Sequence, residues 1–396
     1  MIRNNLLRIF FILIVFTFVY PSTVFAGTTL TLEESIDIAL QNSIVLNMAR
    51  EGSKGAVAQK NEAMTGFLPK FSTSYNYTRL NEEPFTRFQG LPAGPLSFMN
   101  GLEVPMGTKD NFNWVIEARQ PLFAGGGIWA NYQASRIGED IARQEETAKY
   151  QDVVQEVKVA YFNVLRAQKI QEAANQSVEM LKAHRDVAEN YFNVGMIPKN
   201  DLLYAEVELA NGRQAQVRAQ NAVDLAKSRL NTVLKRRIFE PVEVVDILTY
   251  QPLQQTFEDC LHMAKQSRPE LKISSLKAAQ AGKLVRVAES EFFPSLNVVG
   301  NYTRFGDEIS VSGSDYKDME NWYLMAVASW NFWEWGKTKF RVDAGRAREN
   351  QALDAARELN DQIILEIKNA YLNLQEAESQ ISVSQKLIEQ AGENFR

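Results

Sequence analysis

The chain has 396 residues, 43 Lys and Arg against 48 Asp and Glu, a net charge of −5, two histidines and one cysteine. The acidic balance argues against a nucleic-acid surface, and a single cysteine leaves no internal disulfide framework. No Walker loop, His-Glu-x-x-His, Cys-x-x-Cys or nucleophile elbow occurs, and His184 and His262 stand alone, so no catalytic residue, metal ligand or cofactor is assigned.

Arg3 and Arg8 precede the apolar run from Ile9 to Tyr20, followed by Pro21 and Val24-Phe25-Ala26. This is the pattern of an export signal cut after Ala26, too short for a spanning helix. Removing residues 1–26 takes away two positive charges, giving −5 − 2 = −7. No other long apolar stretch follows, and Cys260, in an amphipathic segment, reads as a small buried hydrophobe.

The mature chain contains itself twice. Residues 31–79 align without a gap on 256–304, an offset of 256 − 31 = 225, with Glu33/Glu258, Ala39/Ala264, Leu46/Leu271, Phe67/Phe292 and Pro69/Pro294 identical and Asn76-Tyr77-Thr78-Arg79 repeated at 301–304. From Asn111 the offset becomes 321 − 111 = 210, pairing Gly126/Gly336, Arg136/Arg346 and Ala160-Tyr161/Ala370-Tyr371. The connection 80–110 is therefore 225 − 210 = 15 residues longer than 305–319, as a variable loop on a fixed scaffold would be.

Repeat one, 27–254, opens with a helix expected over 32–66. Strands are expected at 71–80 and 111–121, with counterparts at 295–305 and 321–332, because apolar and polar residues alternate with period two. Segments of about ten residues with aromatics near their ends match outer-membrane barrel strands. Ser72, Ser74, Asn76, Thr78, Asn297, Asn301 and Thr303 are then expected toward a wet lumen. Tyr75, Tyr77, Phe112, Trp114, Tyr302, Trp322 and Trp330 are expected toward lipid. A soluble sandwich core is the alternative for these aromatics. Four strands cannot close a barrel of about eight or more, and an open edge in lipid leaves backbone groups unpaired. Three copies sharing one barrel would supply twelve.

Residues 128–194 contain no proline and only Gly138 as an interruption, so a rod of about 100 Å is expected at ~1.5 Å per residue. Its alanines and apolar three-four spacing suit sideways packing against other rods. Gly195 suits the left-handed residue past a helix, Pro198 the first turn of the next, and Asn200 or Asp201 can accept its free amide protons. A return helix over 198–235 and a linker over 238–254 complete the repeat. Repeat two, 255–396, follows the same plan.

The doubled plan, Phe67-Leu68-Pro69 and Phe292-Phe293-Pro294 at the strand entries, and Gln120 to Gly126 at the return into helix resemble the TolC-like outer-membrane efflux proteins. So do Ala160 to Asn163 and the Val194-Gly195 tip before Asp201-Leu202-Leu203. In repeat two, Asn331-Phe332-Trp333-Glu334-Trp335-Gly336 departs from the usual Pro-Leu-Phe-x-Gly-Gly but keeps its aromatic character. The resemblance covers essentially the whole mature chain. It implies a mainly α protein with membrane β: a homotrimer with a twelve-stranded barrel in the outer membrane of a Gram-negative-type bacterium and a twelve-helix periplasmic tunnel.

It also implies passive export of small molecules, driven by an inner-membrane pump. Val194, Gly195, Met196, Ile197, Pro198, Asp201 and Leu202 would dock a periplasmic adaptor. Type I protein secretion shares the architecture, and a non-channel coiled-coil structural protein is the alternative of another class. By the 210 offset, 390–396 align on 180–186, so the second tip and return helix are expected to be missing. The acidic gate residues of the family, which lie on that hairpin, are therefore not assigned. A trimer of such chains would have nine tunnel segments rather than twelve and is expected to assemble poorly.

Overall fold

The computed structural model describes residues 29–90 and 93–395. The export signal at 1–26 lies outside them. In chain order the elements are β1 (Thr29–Leu30), α1 (Leu32–Asn42), α2 (Ile44–Thr65), β2 (Lys70–Arg79), β3 (Phe85–Arg87), β4 (Glu103–Pro105), β5 (Asp110–Ala124), α3 (Gly127–Asn193) and α4 (Lys199–Val233). They continue with β6 (Glu243–Val244), α5 (Phe257–Ser267), α6 (Pro269–Glu289), β7 (Ser295–Gly306), β8 (Glu320–Ser329) and α7 (Lys337–Phe395).

The expected helix over 32–66 is two helices. Ser43 leaves helical geometry (φ −65°, ψ 114°) and its hydroxyl accepts the Leu46 amide at 3.2 Å, which starts α2. Repeat two breaks at the aligned position, 43 + 225 = 268: Arg268 is extended (φ −70°, ψ 114°) and Pro269 opens α6. Proline disfavours helical geometry in the residue before it and suits the first turn after it, so sequence dictates the second break directly.

The chain forms two compact units, which cut across the sequence repeats. Among the described residues, the first contains those up to Asn42 together with Val154–Thr249. Its core is the C-terminal part of α3 against α4, with Val157, Val164, Leu165, Val223, Leu230 and Leu234 buried. The two helices run antiparallel: Gln171 donates to Gln220, and Gln216 donates to Asn175 at 2.9 Å. At their base β1 pairs in parallel with β6. Tyr161, fully buried, closes this corner: its hydroxyl donates to the carbonyls of Leu30 (3.0 Å) and Val245 (2.8 Å). Burial pushes the Tyr161 hydroxyl pKa up, which keeps it protonated as a donor.

The second unit contains Ser43–Val153 and Tyr250–Arg396. It holds a four-stranded antiparallel sheet in the order β2-β5-β7-β8. The two hairpins have the same register: Lys70 pairs with Arg119 and Arg79 with Asp110, as the aligned Ser295 pairs with Ser329 and Arg304 with Glu320. The long loop after β2 carries the separate β3–β4 ladder. Helices α6 and α7 pack through Val285, Ala288 and Val342, reinforced by Arg346 on Glu289 at 3.0 Å. Glu139 of α3 is 5 % exposed and receives Lys60 of α2 at 2.8 Å, with Arg143 also on its carboxylate. Lys60 holds this carboxyl below its ordinary pKa.

Candidate functional sites: a two-faced sheet and a helical tip

Residues directly opposite on adjacent strands share a face, so the register assigns every side chain of the sheet. Tyr75 opposes Trp114, Tyr77 opposes Phe112, Ile116 opposes Tyr302, and Tyr302 opposes Trp322. These six aromatics, drawn from all four strands, therefore lie on one face, with Phe71, Val298, Leu324, Ala326 and Ala328. Tyr77 and Phe112 stack at 4.7 Å between centroids, and the Trp114 indole donates to Thr73 at 2.9 Å.

Ser72, Ser74, Asn76 and Thr78 oppose Glu117, Val115, Asn113 and Asn111. Glu117 opposes Asn301, Val115 opposes Thr303, and Pro121 opposes Asn297. The seven expected lumen residues thus share the other face. Trp322 is 72 % exposed and Leu324 70 %, which leaves the aromatic face uncovered within one chain.

Trp330 requires a correction. The strand expected over 321–332 ends at Ser329, and Trp330 lies just beyond it. The Trp330 indole donates to the Phe292 carbonyl at 3.1 Å, which fixes the side chain where the chain turns toward α7. Conversely, β5 runs past Pro121 to Ala124, because a register shift between Pro121 and Phe123 absorbs one residue without ending the ladder.

Both strand-to-helix joints use left-handed backbone. At the first, Gly125 (φ +59°) sits so close to the end of α6 that a Cβ would overlap the Ser290 carbonyl oxygen. At the second, the aligned residue is Trp335, also left-handed (φ 54°) and 84 % exposed. A left-handed bulky residue is strained, and here it occupies the position that repeat one gives to glycine.

The helical tip lies in the first unit. α3 ends at Asn193, the Gly195 amide donates to the Phe192 carbonyl at 2.9 Å, and the Met196 amide reaches back to Tyr191 at 2.8 Å. Gly195 is left-handed (φ +77°), and an added Cβ would meet nothing within 4 Å. Pro198 is the extended cap before α4, with no side-chain cap hydrogen bond, so the cap expected from Asn200 or Asp201 does not form. A pyrrolidine has no acceptor, and the Asp201 amide is satisfied instead by the Pro198 carbonyl at 3.1 Å. Val194 and Met196 are 69 % and 71 % exposed; Ile197 and Leu202 are partly covered, and Asp201 is exposed.

Among the described residues, no cluster of His, Cys, Asp and Glu is arranged to hold a metal, and no helix is long and apolar enough to cross a membrane. The sequence reading missed the Tyr161 corner, the buried Glu139 and the Gly125–Ser290 contact. A signal for the first was present: Tyr161 and Tyr371 recur at the aligned position within Ala-Tyr.

A duplicated helix scaffold carrying a small two-faced antiparallel sheet is the fold of TolC-like outer-membrane channels. The chain belongs to the outer membrane efflux protein family, whose model matches residues 35–234 and 260–396. This is a family of non-enzymatic outer-membrane channels with a periplasmic helical extension, and its members form trimers in tripartite systems. Among solved structures, the chain resembles the CmeC outer membrane channel of Campylobacter jejuni, with a TM-score of 0.72 and 19 % identity over 92 % of this chain and 76 % of that one. It also resembles the outer membrane protein VceC of Vibrio cholerae, with a TM-score of 0.74 and 15 % identity over 91 % of this chain and 83 % of that one. In sequence it is 25 % identical over 338 residues to Protein CyaE of Bordetella pertussis, a match covering 83 % of this chain and 66 % of that protein.

Proposed function

We propose that this chain is the outer-membrane duct of a tripartite efflux system. It conducts small molecules passively from a periplasmic adaptor and inner-membrane pump to the exterior. The observation that carries the reading is the division of the sheet into one aromatic, apolar face and one polar face. Such a sheet suits a wall between lipid and water. Its outer edges, β2 and β8, have no partner strand among the described residues. Backbone groups in lipid must be paired, so three copies close twelve strands into one barrel, with Ser72, Ser74, Asn76, Thr78, Asn297, Asn301 and Thr303 lining its lumen. Residues 27–254 and 255–396 are the two repeats of each wall segment.

The tip from Val194 to Pro198, with Asp201 and Leu202, is the adaptor-docking surface. It offers two exposed apolar side chains on a turn whose glycine has open space around it. Replacing Gly195 with valine is expected to abolish drug resistance in a strain that depends on this protein while leaving its abundance in the outer membrane unchanged. Normal resistance at normal abundance would refute the docking role. A second reading, an exit duct for type I protein secretion, shares this architecture. Export of a protein cargo without any change in small-molecule resistance would select it.

A further inference from the structure

The polar face of the sheet carries only three charged residues, and all three stand together at its helix-proximal end. The ladder puts Lys70, Glu117 and Arg119 on this face, and every other residue paired there is neutral. Lys70, the first residue of β2, is directly opposite Arg119 of β5. Arg119 donates from Nη2 and Nε to Glu117 Oε1, at 3.0 and 3.3 Å. That pair lies along one strand and uses up the carboxylate, while Nη1 of Arg119 stays open. Lys70 is exposed and has no ion partner among the described residues. The face therefore carries 2 − 1 = +1 per chain.

Like charges directly opposed on a ladder are destabilising, so the scaffold gains nothing from this pair. Repeat two supplies an internal control. The offset of +225 carries Lys70 onto Ser295, and +210 carries Arg119 onto Ser329 and Glu117 onto Val327. Ser295 pairs with Ser329 in the same register, at the same point where the chain enters and leaves the sheet. The hairpin thus closes equally with two serines, and the two cations of repeat one answer to something other than folding.

We propose that Lys70 and Arg119 form an anion-binding station on the inner wall of the duct, and that its cargo is small organic anions: carboxylates, sulfonates or phosphate esters. This rests on the proposed duct, because only there does the polar face line a lumen. Opposed residues of an antiparallel pair lie about 4.5–5.5 Å apart at Cα, so the two long side chains can close on one oxyanion. The Lys70 ammonium brings a mobile point charge and Arg119 brings its open Nη1, giving charge-assisted hydrogen bonds. Three copies place three such stations around one ring, separated by the neutral serine pairs of repeat two. Several exposed sites of modest affinity suit conduction, in which a solute must bind well enough to enter and weakly enough to leave.

One neighbouring group acts in the opposite sense. Lys70 also borders a cavity of about 790 Å³ that is shared with Glu62 of α2. Glu62 has no ion partner among the described residues, and its carboxylate repels an arriving anion.

The test is conductance of the full chain in planar bilayers in potassium chloride, with carboxyfluorescein as the anionic blocker and ethidium as the cationic one. The variant carrying both Lys70→Ser and Arg119→Ser installs the pair that repeat two already has, so it is expected to assemble as the wild type does. Its half-blocking concentration of carboxyfluorescein should rise about tenfold, the change that ~1.4 kcal/mol makes, while block by ethidium does not weaken. Glu62→Gln should block at lower carboxyfluorescein than the wild type. Equal carboxyfluorescein block in the wild type and the double variant, or weaker block in Glu62→Gln, would overturn the station while leaving a conducting duct intact. A chain that opens no conductance at all would overturn both.

Discussion

Two glycines share left-handed backbone but differ in what surrounds them, and the difference separates local strain from packing. An alanine at Gly195 (φ +77°) costs about 1–2 kcal/mol for its conformation and nothing more, because no atom lies within 4 Å of its Cβ. An alanine at Gly125 (φ +59°) carries the same conformational cost. In addition, its Cβ overlaps the Ser290 carbonyl and sits 3.1 Å from Cβ of Phe293. The obstructing oxygen is backbone at the end of α6, so no side-chain rotation relieves it and the joint must open. Overpacking of this kind adds about 1–3 kcal/mol, so Gly125→Ala should be destabilised by roughly 2–5 kcal/mol. The assay is urea unfolding of the detergent-extracted protein, followed by tryptophan fluorescence, with both variants in parallel. Gly125→Ala is expected to unfold at clearly lower urea than Gly195→Ala. Equal midpoints would refute the close approach of β5 and α6 at this joint.

Two further outcomes follow from buried polar groups. Tyr161→Phe removes the donor shared by the carbonyls of Leu30 and Val245, at a cost of about 1–2 kcal/mol, and hydrogen exchange at the Val245 amide should quicken; unchanged exchange would count against the corner. Glu139 has a pKa held below 4.5 by Lys60, so its contribution is complete above that pH and is lost as pH falls through the lower folded value. Glu139→Gln should cost about 1–3 kcal/mol at neutral pH and flatten the acid limb of the stability curve; an unaltered limb would mean the carboxylate is not so placed.

The doubling of the chain was legible because two constant offsets cover almost every element. The strand faces were legible because period two is unambiguous where Ser, Asn and Thr alternate with rings. Helix breaks were less so. Pro269 announces the break at Arg268, but Ser43 looks like an ordinary helical residue until the offset carries the proline's message back to repeat one. The end of β8 was hidden because Trp330 continues the alternation by type, while its indole is committed to a carbonyl 38 residues away. The β3–β4 ladder lacked a two-residue turn to mark it, since 15 residues separate its strands. Tyr161 reaches carbonyls 131 and 84 residues distant, a relation that helical spacing cannot express.

The unequal loops have a consequence at the outer rim. If every hairpin were the same, a ring of six would present one motif six times, and any change to a loop would be made everywhere at once. Because the hairpins are fused in pairs, the long loop with its own β3–β4 ladder alternates with the short one, and each can drift independently of the other. In the proposed trimeric barrel, three long loops would alternate with three short ones, and a change confined to the long loops would leave the strands beneath them untouched.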